Sequence, residues 1–438
     1  MNKLFFKFNN RKVHRMNKIV ISKEFFGGII KNKNNWNNVA IDSFLFDFFC
    51  FMKQKKSAQD FYDKYSNDID TKEILEILED CFKENYLLTN FEINEENISK
   101  RHLSAPLRVF YDITYLCNLQ CKHCFTRSGE MNKNELTLQE KINLVKQCAD
   151  LGVNRISIAG GEPFACKDLF YFIEECNKKE IGVSITTNGT LLNKENIEKI
   201  NNLKLKTLTV SFDGGSEESM DFVRGNGTYN KTLNGLKNLN KYYKGHYSIK
   251  TTLMKNNINQ LEELIQLAIN VGCRVIKFNC VRPDGRASDN ANKIILTPEE
   301  YLQTIKKIEF LKDKYKEIIS IKAPLNIYSK EPYDFINELG FGCFAGKESI
   351  CIDPLGNVRP CSHFPKEFIC GNVKEESLLK IWNKEKEFRN FRKKFGNEEC
   401  ETCKVYAKCR GGCRYRAYCE GDILGVDPYC YLRKGIEK

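Results

Sequence analysis

The chain has 438 residues, a formal net charge of +12, 42% hydrophobic and 29% charged residues, which places it among globular proteins with room for two or three domains. No apolar run approaches the roughly 18 residues of a membrane span, and the apolar part of Met1–Asn10 is too short for a signal peptide, so the expected location is the cytoplasm. Twenty cysteines in a reducing compartment read as metal ligands or redox groups rather than disulfides; the basic excess reads first as a Lys- and Asn-rich solvated surface, with an acidic peptide partner as the alternative, and the lack of an aromatic-interleaved module argues against nucleic acid.

Residues 1–97 are expected to form a small unit. Lys18–Ser22 and Phe25–Ile30 pattern as a short hairpin. Ile41, Phe44, Leu45, Phe48 and Met52 fall on one face of a helix, and a second, shorter helix spans about Ala58–Tyr65. A third places Ile74, Ile77, Leu78, Cys81 and Phe82 on one stripe. Tyr86–Phe91 then reads as a wing strand, and Glu95–Ser104 as a polar linker. A hairpin with three helices is winged-helix-like.

Residues 105–296 alternate strand and helix. The strands are predicted near Val109–Leu116, Arg155–Ala159, Val183–Thr187, Thr207–Phe212, Tyr247–Leu253 and Arg274–Asn279. A capping box, Thr137-Leu-Gln-Glu140, opens the first helix, with Leu138, Ile142, Val145 and Ala149 at helical spacing. This alternation predicts an α/β fold with a parallel sheet, in the form of an open, partial (β/α)6 barrel. Chemistry in such sheets sits at the C-terminal ends of the strands. Residues 297–340 read as linking helices opened by Thr297-Pro298-Glu299-Glu300, and 341–438 as a cysteine-dense domain.

Cys117, Cys121 and Cys124 form a C-x3-C-x2-C triplet just past the first strand. A cubane cluster takes four thiolates, so three from one loop leave an iron open, as in a catalytic metal site. Gly160-Gly161-Glu162-Pro163 follows the second strand. Its glycines let the backbone approach a ligand closely, and Glu162 adds an acceptor for an amino group; alone, the same four residues also suit a plain tight turn.

Together these motifs resemble the radical S-adenosylmethionine (SAM) superfamily over the whole middle domain, with His123 where that family usually has an aromatic residue or His. The resemblance implies a catalytic [4Fe–4S] cluster on Cys117, Cys121 and Cys124, whose open iron binds the amino and carboxylate groups of SAM. It implies that Gly160, Gly161 and Glu162 hold the methionine amino group. Thr187-Asn188-Gly189 and Ser211-Phe212-Asp213-Gly214 end the third and fourth strands as in related enzymes. Asn188, Ser211 and Arg224 are then further SAM contacts, the alternative for Arg224 being a surface ion pair. The implied chemistry is one-electron cleavage of SAM to methionine and a 5′-deoxyadenosyl radical that takes a substrate hydrogen. The cofactor carries the hard chemistry and the protein positions it.

The C-terminal cysteines, Cys343, Cys361, Cys400-x2-Cys403-x5-Cys409-x3-Cys413 and Cys430, resemble the seven-cysteine SPASM pattern, whose members mature peptides and proteins. That likeness implies two auxiliary [4Fe–4S] clusters, three clusters in all. Cys343, Cys361 and Cys413 would hold one, and Cys400, Cys403, Cys409 and Cys430 the other. C-x2-C pairs also suit a zinc ribbon, which the triplet disfavours. Cys351 or Cys370 would complete the first set, or its iron is open. Cys50, Cys81, Cys148 and Cys176 read as small core residues. Cys166 and Cys280 face either core or cavity, while Cys273 and Cys419 have no assigned role. His14, His102, His246 and His363 look isolated.

The N-terminal unit is similar to the RiPP recognition element, the winged-helix fold of the pyrroloquinoline quinone peptide chaperone, which binds a leader peptide as an added strand. The resemblances imply a radical SAM oxidoreductase that modifies a ribosomally made precursor peptide, most often by joining a Cys sulfur to a peptide carbon. They also imply an external electron donor of flavodoxin or ferredoxin type. Carbon–carbon cross-linking, formylglycine-type maturation and a non-catalytic, zinc-stabilised peptide-binding protein are the alternatives.

Overall fold

The computed structural model describes residues 19–33, 36, 38–53, 91–94, 102–323, 343–393, 398–404, 406–409 and 411–430. The chain divides into two units, Met1–Ser104 and Ala105–Lys438.

In the first unit, β1 (Ile19–Glu24) and β2 (Gly27–Asn32) form the expected antiparallel hairpin. A third strand, β3 (Asn38–Asp42), pairs antiparallel with β2, and β4 (Phe91–Asn94) pairs parallel with β1, giving the order β3-β2-β1-β4. The helix runs over Ser43–Lys53, so Ile41 is not on it. Ile41 is paired with Gly28 in β3 and packs into the core beside Ile21, Ile29 and Phe46. A Cβ on Gly28 would lie 2.6 Å from the Phe46 ring, so glycine is what lets the helix close on the sheet. The helices expected at Ala58–Tyr65 and Ile74–Phe82, on which a winged-helix assignment depends, lie outside the described residues, as do Tyr86–Asn90 and Glu95–Arg101. Ser104, read as linker, is buried. Its N–H and Oγ donate to the Glu24 carboxylate at 2.8 and 2.7 Å.

In the second unit, six strands pair in sequence order, each parallel to the next: β5 (Arg108–Asp112), β6 (Arg155–Ala159), β7 (Gly182–Thr187), β8 (Leu205–Ser211), β9 (Tyr247–Leu253) and β10 (Val275–Cys280). β11 (Ser320–Lys322) extends one edge in parallel. At the other edge β12 (Ser349–Ile352) lies parallel to β5 and turns back through β13 (Asn357–Arg359) and β14 (Gly371–Asn372). The cysteine-dense region therefore continues the same sheet. β5 stops at Asp112, four residues before Leu116, because Thr114 and Tyr115 turn away to bind Glu135.

Helices lie between successive strands, and their apolar stripes face the sheet residues that alternate inward, such as Ile156, Ile158, Ile185, Val210, Ile249 and Ile276. The Thr137–Glu140 capping box is present, and a second one, Thr297–Glu300, opens the Pro298–Tyr315 helix. The buried stripe of the Leu138–Asp150 helix is Lys141, Leu144, Val145 and Cys148, while Leu138, Ile142 and Ala149 are half-buried. The stripe rotates because the Lys141 ammonium reaches the Asp168 carboxylate at 2.8 Å. Cys148 and Cys176 are core residues as expected, and Cys50 is half-buried. None of the described helices is long and apolar enough to cross a membrane.

Candidate active site

The triplet loop leaves the end of β5 and is closed at its base. Cys117 N donates to Gly129 O at 2.8 Å and Gly129 N to Tyr115 O at 3.0 Å. Inside it, Cys124 N donates to Cys121 O. Cys117 and Cys124 are half-buried and Cys121 buried. Burial raises the Cys117 thiol above its ordinary value and pushes Cys121 up to about 11; Arg224 opposes the shift at Cys121, and the neighbouring thiols add to it. The three sulfurs thus share one field, and an iron cluster would supply the positive charge their ionisation needs.

Three segments hold the loop from outside. Asn118 Nδ2 donates to Thr190 Oγ1 at 2.8 Å, and Asn188 Nδ2 donates to Asn118 Oδ1 at 2.9 Å, tying the loop to the end of β7. Lys122 N donates to Val223 O on the Glu217–Arg224 helix at 2.8 Å. Arg286, just past β10, donates from Nε to Cys121 O and from Nη2 to Ser128 O, both at 2.9 Å, and from its backbone N to Cys124 O at 2.9 Å. Gly285 before it has φ +50°, and any Cβ there would collide with the carbonyls of Cys124 and Phe125. No periodicity or motif marks Asn118 or Arg286; a Gly after Pro283-Asp284 was the one local signal.

The Gly160–Pro163 turn docks on the base of this loop. Gly161 N donates to Thr114 O at 2.7 Å and Glu162 N to Leu116 O at 2.8 Å. Gly160 has φ +116°, and a Cβ there would lie 2.7 Å from Thr114 O; at Gly161 it would run into Leu116 O. The backbone that approaches these glycines is the triplet loop itself. Glu162 is fully buried. Its carboxylate accepts from Thr187 Oγ1 at 2.6 Å, Asn188 N at 2.7 Å and Phe164 N at 3.1 Å. Three of a carboxylate's roughly four acceptor sites are thus engaged by the chain, clamping the ends of β6 and β7 together. Gly161→Ala is expected to cost about 1–3 kcal/mol by overpacking and to lower iron retained per chain after anaerobic reconstitution, measured by urea unfolding and iron analysis.

Arg224 is not at the surface. Its Nε donates to Asp213 Oδ2 at 2.7 Å and its Nη2 to the same oxygen at 2.5 Å, with Asp213 fully buried. Burial would raise the Asp213 carboxyl, but Arg224 and His123 hold it below the ordinary range. His123 Nε2 stands 3.3 Å from Asp213, and its Nδ1 is buried without a hydrogen-bond partner. Burial brings this imidazole down to about 4, so it is neutral near pH 7. Ser211 closes β8, half-buried, in register with Lys250 on β9. Clustered thiols, an unsatisfied imidazole nitrogen and a buried guanidinium meeting at the strand ends fit an iron–sulfur cluster with a polar, anionic ligand.

In the C-terminal region Cys343, Cys361 and Cys413 pack on one cluster of Ala345, Phe364, Phe391 and Tyr415. Burial, then Cys413 and Cys361, push Cys343 up to about 12. Cys351 and Cys361 face one another closely enough that Cys351 lowers the Cys361 thiol and Cys361 raises that of Cys351. Cys370 instead points to Phe368 O and neighbours Glu387, Arg392 and Lys384. The structure therefore places Cys351, not Cys370, beside Cys361. Burial raises Cys409 to about 11, with Cys430 and Cys400 adding to it, and Cys403 N donates to Cys400 O. Asp427 knits this region by accepting from Cys413 N at 2.7 Å and from Arg416 Nε at 2.7 Å. Among the described residues, no three His, Cys, Asp or Glu side chains converge closely enough to hold a single metal ion.

His363 is not isolated. It bonds Asp284 through Nδ1 and meets Arg282 through Nε2 at 2.9 Å. Its ring centroid is 4.9 Å from Phe125 of the triplet loop and 5.7 Å from Tyr415. Cys413 and Cys361 lie in the field of the Arg282 guanidinium. A packed chain of side chains thus joins the triplet loop to the first C-terminal cysteine set.

Residues 111–268 match the radical SAM superfamily, and residues 343–410 match SPASM, an iron–sulfur cluster-binding domain. Among curated relatives, the mycofactocin maturase MftC of Mycolicibacterium smegmatis is 27% identical over 334 residues, 76% of this chain and 84% of the relative. The AdoMet-dependent heme synthase of Methanosarcina barkeri is 29% identical over 352 residues, 76% of this chain and 98% of the relative. Among solved structures, Streptococcus suis SuiB bound to S-adenosylmethionine has a TM-score of 0.72 at 21% identity, covering 96% of this chain and 100% of that one; SuiB bound to precursor peptide SuiA also gives 0.72, at 20% identity. The chain is thus an enzyme that carries a radical SAM domain and a SPASM iron–sulfur domain.

Proposed function

We propose that this enzyme modifies a ribosomally made precursor peptide, joining a Cys sulfur to a peptide carbon. The observation that carries the reading is the strand-rich N-terminal unit added to the two cluster domains. Its four-stranded sheet ends in β3 and β4, and an extended peptide gains main-chain hydrogen bonds by adding to such an edge. The reading is supported by the likeness of nearly the whole chain to SuiB, solved with its precursor peptide, and by the relative MftC, named a maturase. Residues 1–97 would hold the leader, 105–296 the radical core with its sheet curled as a partial barrel, 297–340 the link, and 341–438 the auxiliary clusters.

In this reading Cys117, Cys121 and Cys124 hold the catalytic cluster, and Gly160, Gly161, Glu162, His123, Asn188, Ser211 and Arg224 surround SAM. When bound, that group supplies one-electron cleavage of SAM and a hydrogen-abstracting radical. The chain's own part is positional. Arg286, Asn118 and Asn188 fix the loop, and the Asp213–Arg224 pair fixes a cation beside it. Cys343, Cys361 and Cys413, with Cys351 beside them, would hold one auxiliary cluster and Cys400, Cys403, Cys409 and Cys430 the other, and such clusters would supply an acceptor for the electrons of a net oxidation. An external flavodoxin or ferredoxin supplies the first electron.

The test uses the reconstituted enzyme with the precursor peptide encoded beside its gene. A thioether removes two hydrogens and makes one Cys unreactive to alkylation. Loss of two hydrogens with every thiol still reactive would replace the reading by carbon–carbon cross-linking. An enzyme that cleaves SAM but changes no peptide would overturn the peptide reading. Deleting residues 1–97 is expected to weaken peptide binding, measured by fluorescence anisotropy, and to spare SAM cleavage without peptide.

A further inference from the structure

The two faces of the parallel sheet differ in chemistry. The helix-covered face is apolar, whereas Ser157, Ser184, Thr186, Thr207, Lys250 and Lys277 project from the other and are half-buried. Lys250 on β9 and Lys277 on β10 are register partners on adjacent strands, and Lys250 is in turn level with Ser211 at the end of β8. Neighbouring strands lie about 4.8 Å apart, and like charges directly opposite one another destabilise a sheet.

Nothing among the described residues neutralises this pair. Lys277 makes one long contact, 3.5 Å to Thr209 Oγ1, and Lys250 Nζ stands 3.3 Å from the Asn279 side-chain amide. The acid in the field of Lys250 is Asp213, which is already committed to Arg224. The next cation, Arg282, faces Lys250 as well, meets His363 at 2.9 Å and has Cys413 in its field. Burial, then Arg282, bring Lys250 down to about 8, with Lys277 adding to the effect. Buried charges in proteins are paired or bind an ion. Two adjacent ammoniums on a half-buried polar face, with no uncommitted carboxylate among the described residues, are built for an anion brought in from outside. Lys250 shares its field with Asp213 and Arg224, which in turn neighbour His123 and Cys121, so the anion would sit beside the reacting centre.

We propose that Lys250 and Lys277 together seat a carboxylate of the peptide substrate, the side chain of an Asp or Glu close to the residue being modified, so that the enzyme selects core peptides acidic at that place. This rests on the peptide reading above. Each ammonium donates to one carboxylate oxygen, a charge-assisted pair of hydrogen bonds.

The test uses SAM-loaded, full-length, reconstituted enzyme and two probes in equilibrium dialysis, N-acetyl-aspartate amide and N-acetyl-asparagine amide. The wild type is expected to prefer the aspartate probe by about tenfold or more. Lys250→Gln and Lys277→Gln should each bring that preference toward unity, and Lys250→Arg should keep it. No preference in the wild type, or an undiminished one in both Gln variants, overturns the seat. If the Gln variants weaken SAM itself and the wild type prefers aspartate only without SAM, the carboxylate held is that of SAM and the proposal falls. With the precursor peptide, one core Asp→Asn or Glu→Gln change should raise KM as much as Lys250→Gln does, and the two together no further. Lysine-dependent aspartate preference in an enzyme that changes no peptide would sink the peptide reading and leave the anion seat standing.

Discussion

Cys121→Ala is expected to reduce 5′-deoxyadenosine formation to background while leader-peptide binding stays unchanged. Cys121 is the buried member of the triplet and the one whose thiol Arg224 faces most strongly. Its backbone carbonyl accepts from Cys124 N and Arg286 Nε, and both bonds survive in alanine. The substitution therefore removes a sulfur without releasing the loop. Two remaining thiols cannot hold a cluster that needs three from the protein. Cys148→Ala is the control. Cys148 is also fully buried, but on the Leu138–Asp150 helix, so its loss leaves a small cavity and a modest loss of stability with SAM cleavage retained. Product is read by chromatography after anaerobic reconstitution, and leader binding by anisotropy. Cleavage in Cys121→Ala at the wild-type rate would refute the assignment of the triplet.

What could be read from the sequence was what is decided locally. The six core strands lie within a few residues of their expected positions because short runs of β-branched and aromatic residues decide each one. Both capping boxes were readable because Thr137 and Glu140, or Thr297 and Glu300, are three residues apart. The misreadings all depend on distant partners. Lys141 turns its helix by one position because Asp168 waits 27 residues later. Ile41 joins a strand because β2 offers it an edge. Arg286 supports a loop 165 residues before it, and His363 looked isolated because Asp284 lies 79 residues upstream. Spacing alone does not separate Cys351 from Cys370; in the structure Cys351 lies in the field of Cys361, whereas Cys370 turns to Phe368 O. The glycines at 160 and 161 were rightly seen as sites of close approach, but the approaching group is the backbone of Thr114–Leu116.

Asp213→Asn is expected to destabilise the protein by about 3–5 kcal/mol, the usual effect of stranding a buried charge. The Asp213 carboxylate is fully buried and gathers Arg224, the Thr252 N–H at 2.6 Å and His123, while its backbone carbonyl accepts from Asn257 Nδ2 at 2.8 Å. Asparagine keeps an acceptor but not the charge, so the Arg224 guanidinium is left buried and unpaired. The sign of the pH effect follows from the lowered Asp213 carboxyl. Its contribution is fully present above the ordinary carboxylate value of about 4 and is lost as pH falls through the lower folded value. Urea unfolding at pH 7 should therefore show the whole difference between wild type and variant, and the gap should narrow in strong acid. Asp213→Asn with Arg224→Gln should recover part of the loss, because the second change removes the stranded cation. If the single variant unfolded at the wild-type urea concentration, the pair would be incidental to the fold. If it were destabilised yet bound SAM with wild-type affinity, Arg224 would be a support for the strand ends rather than a contact of the cofactor.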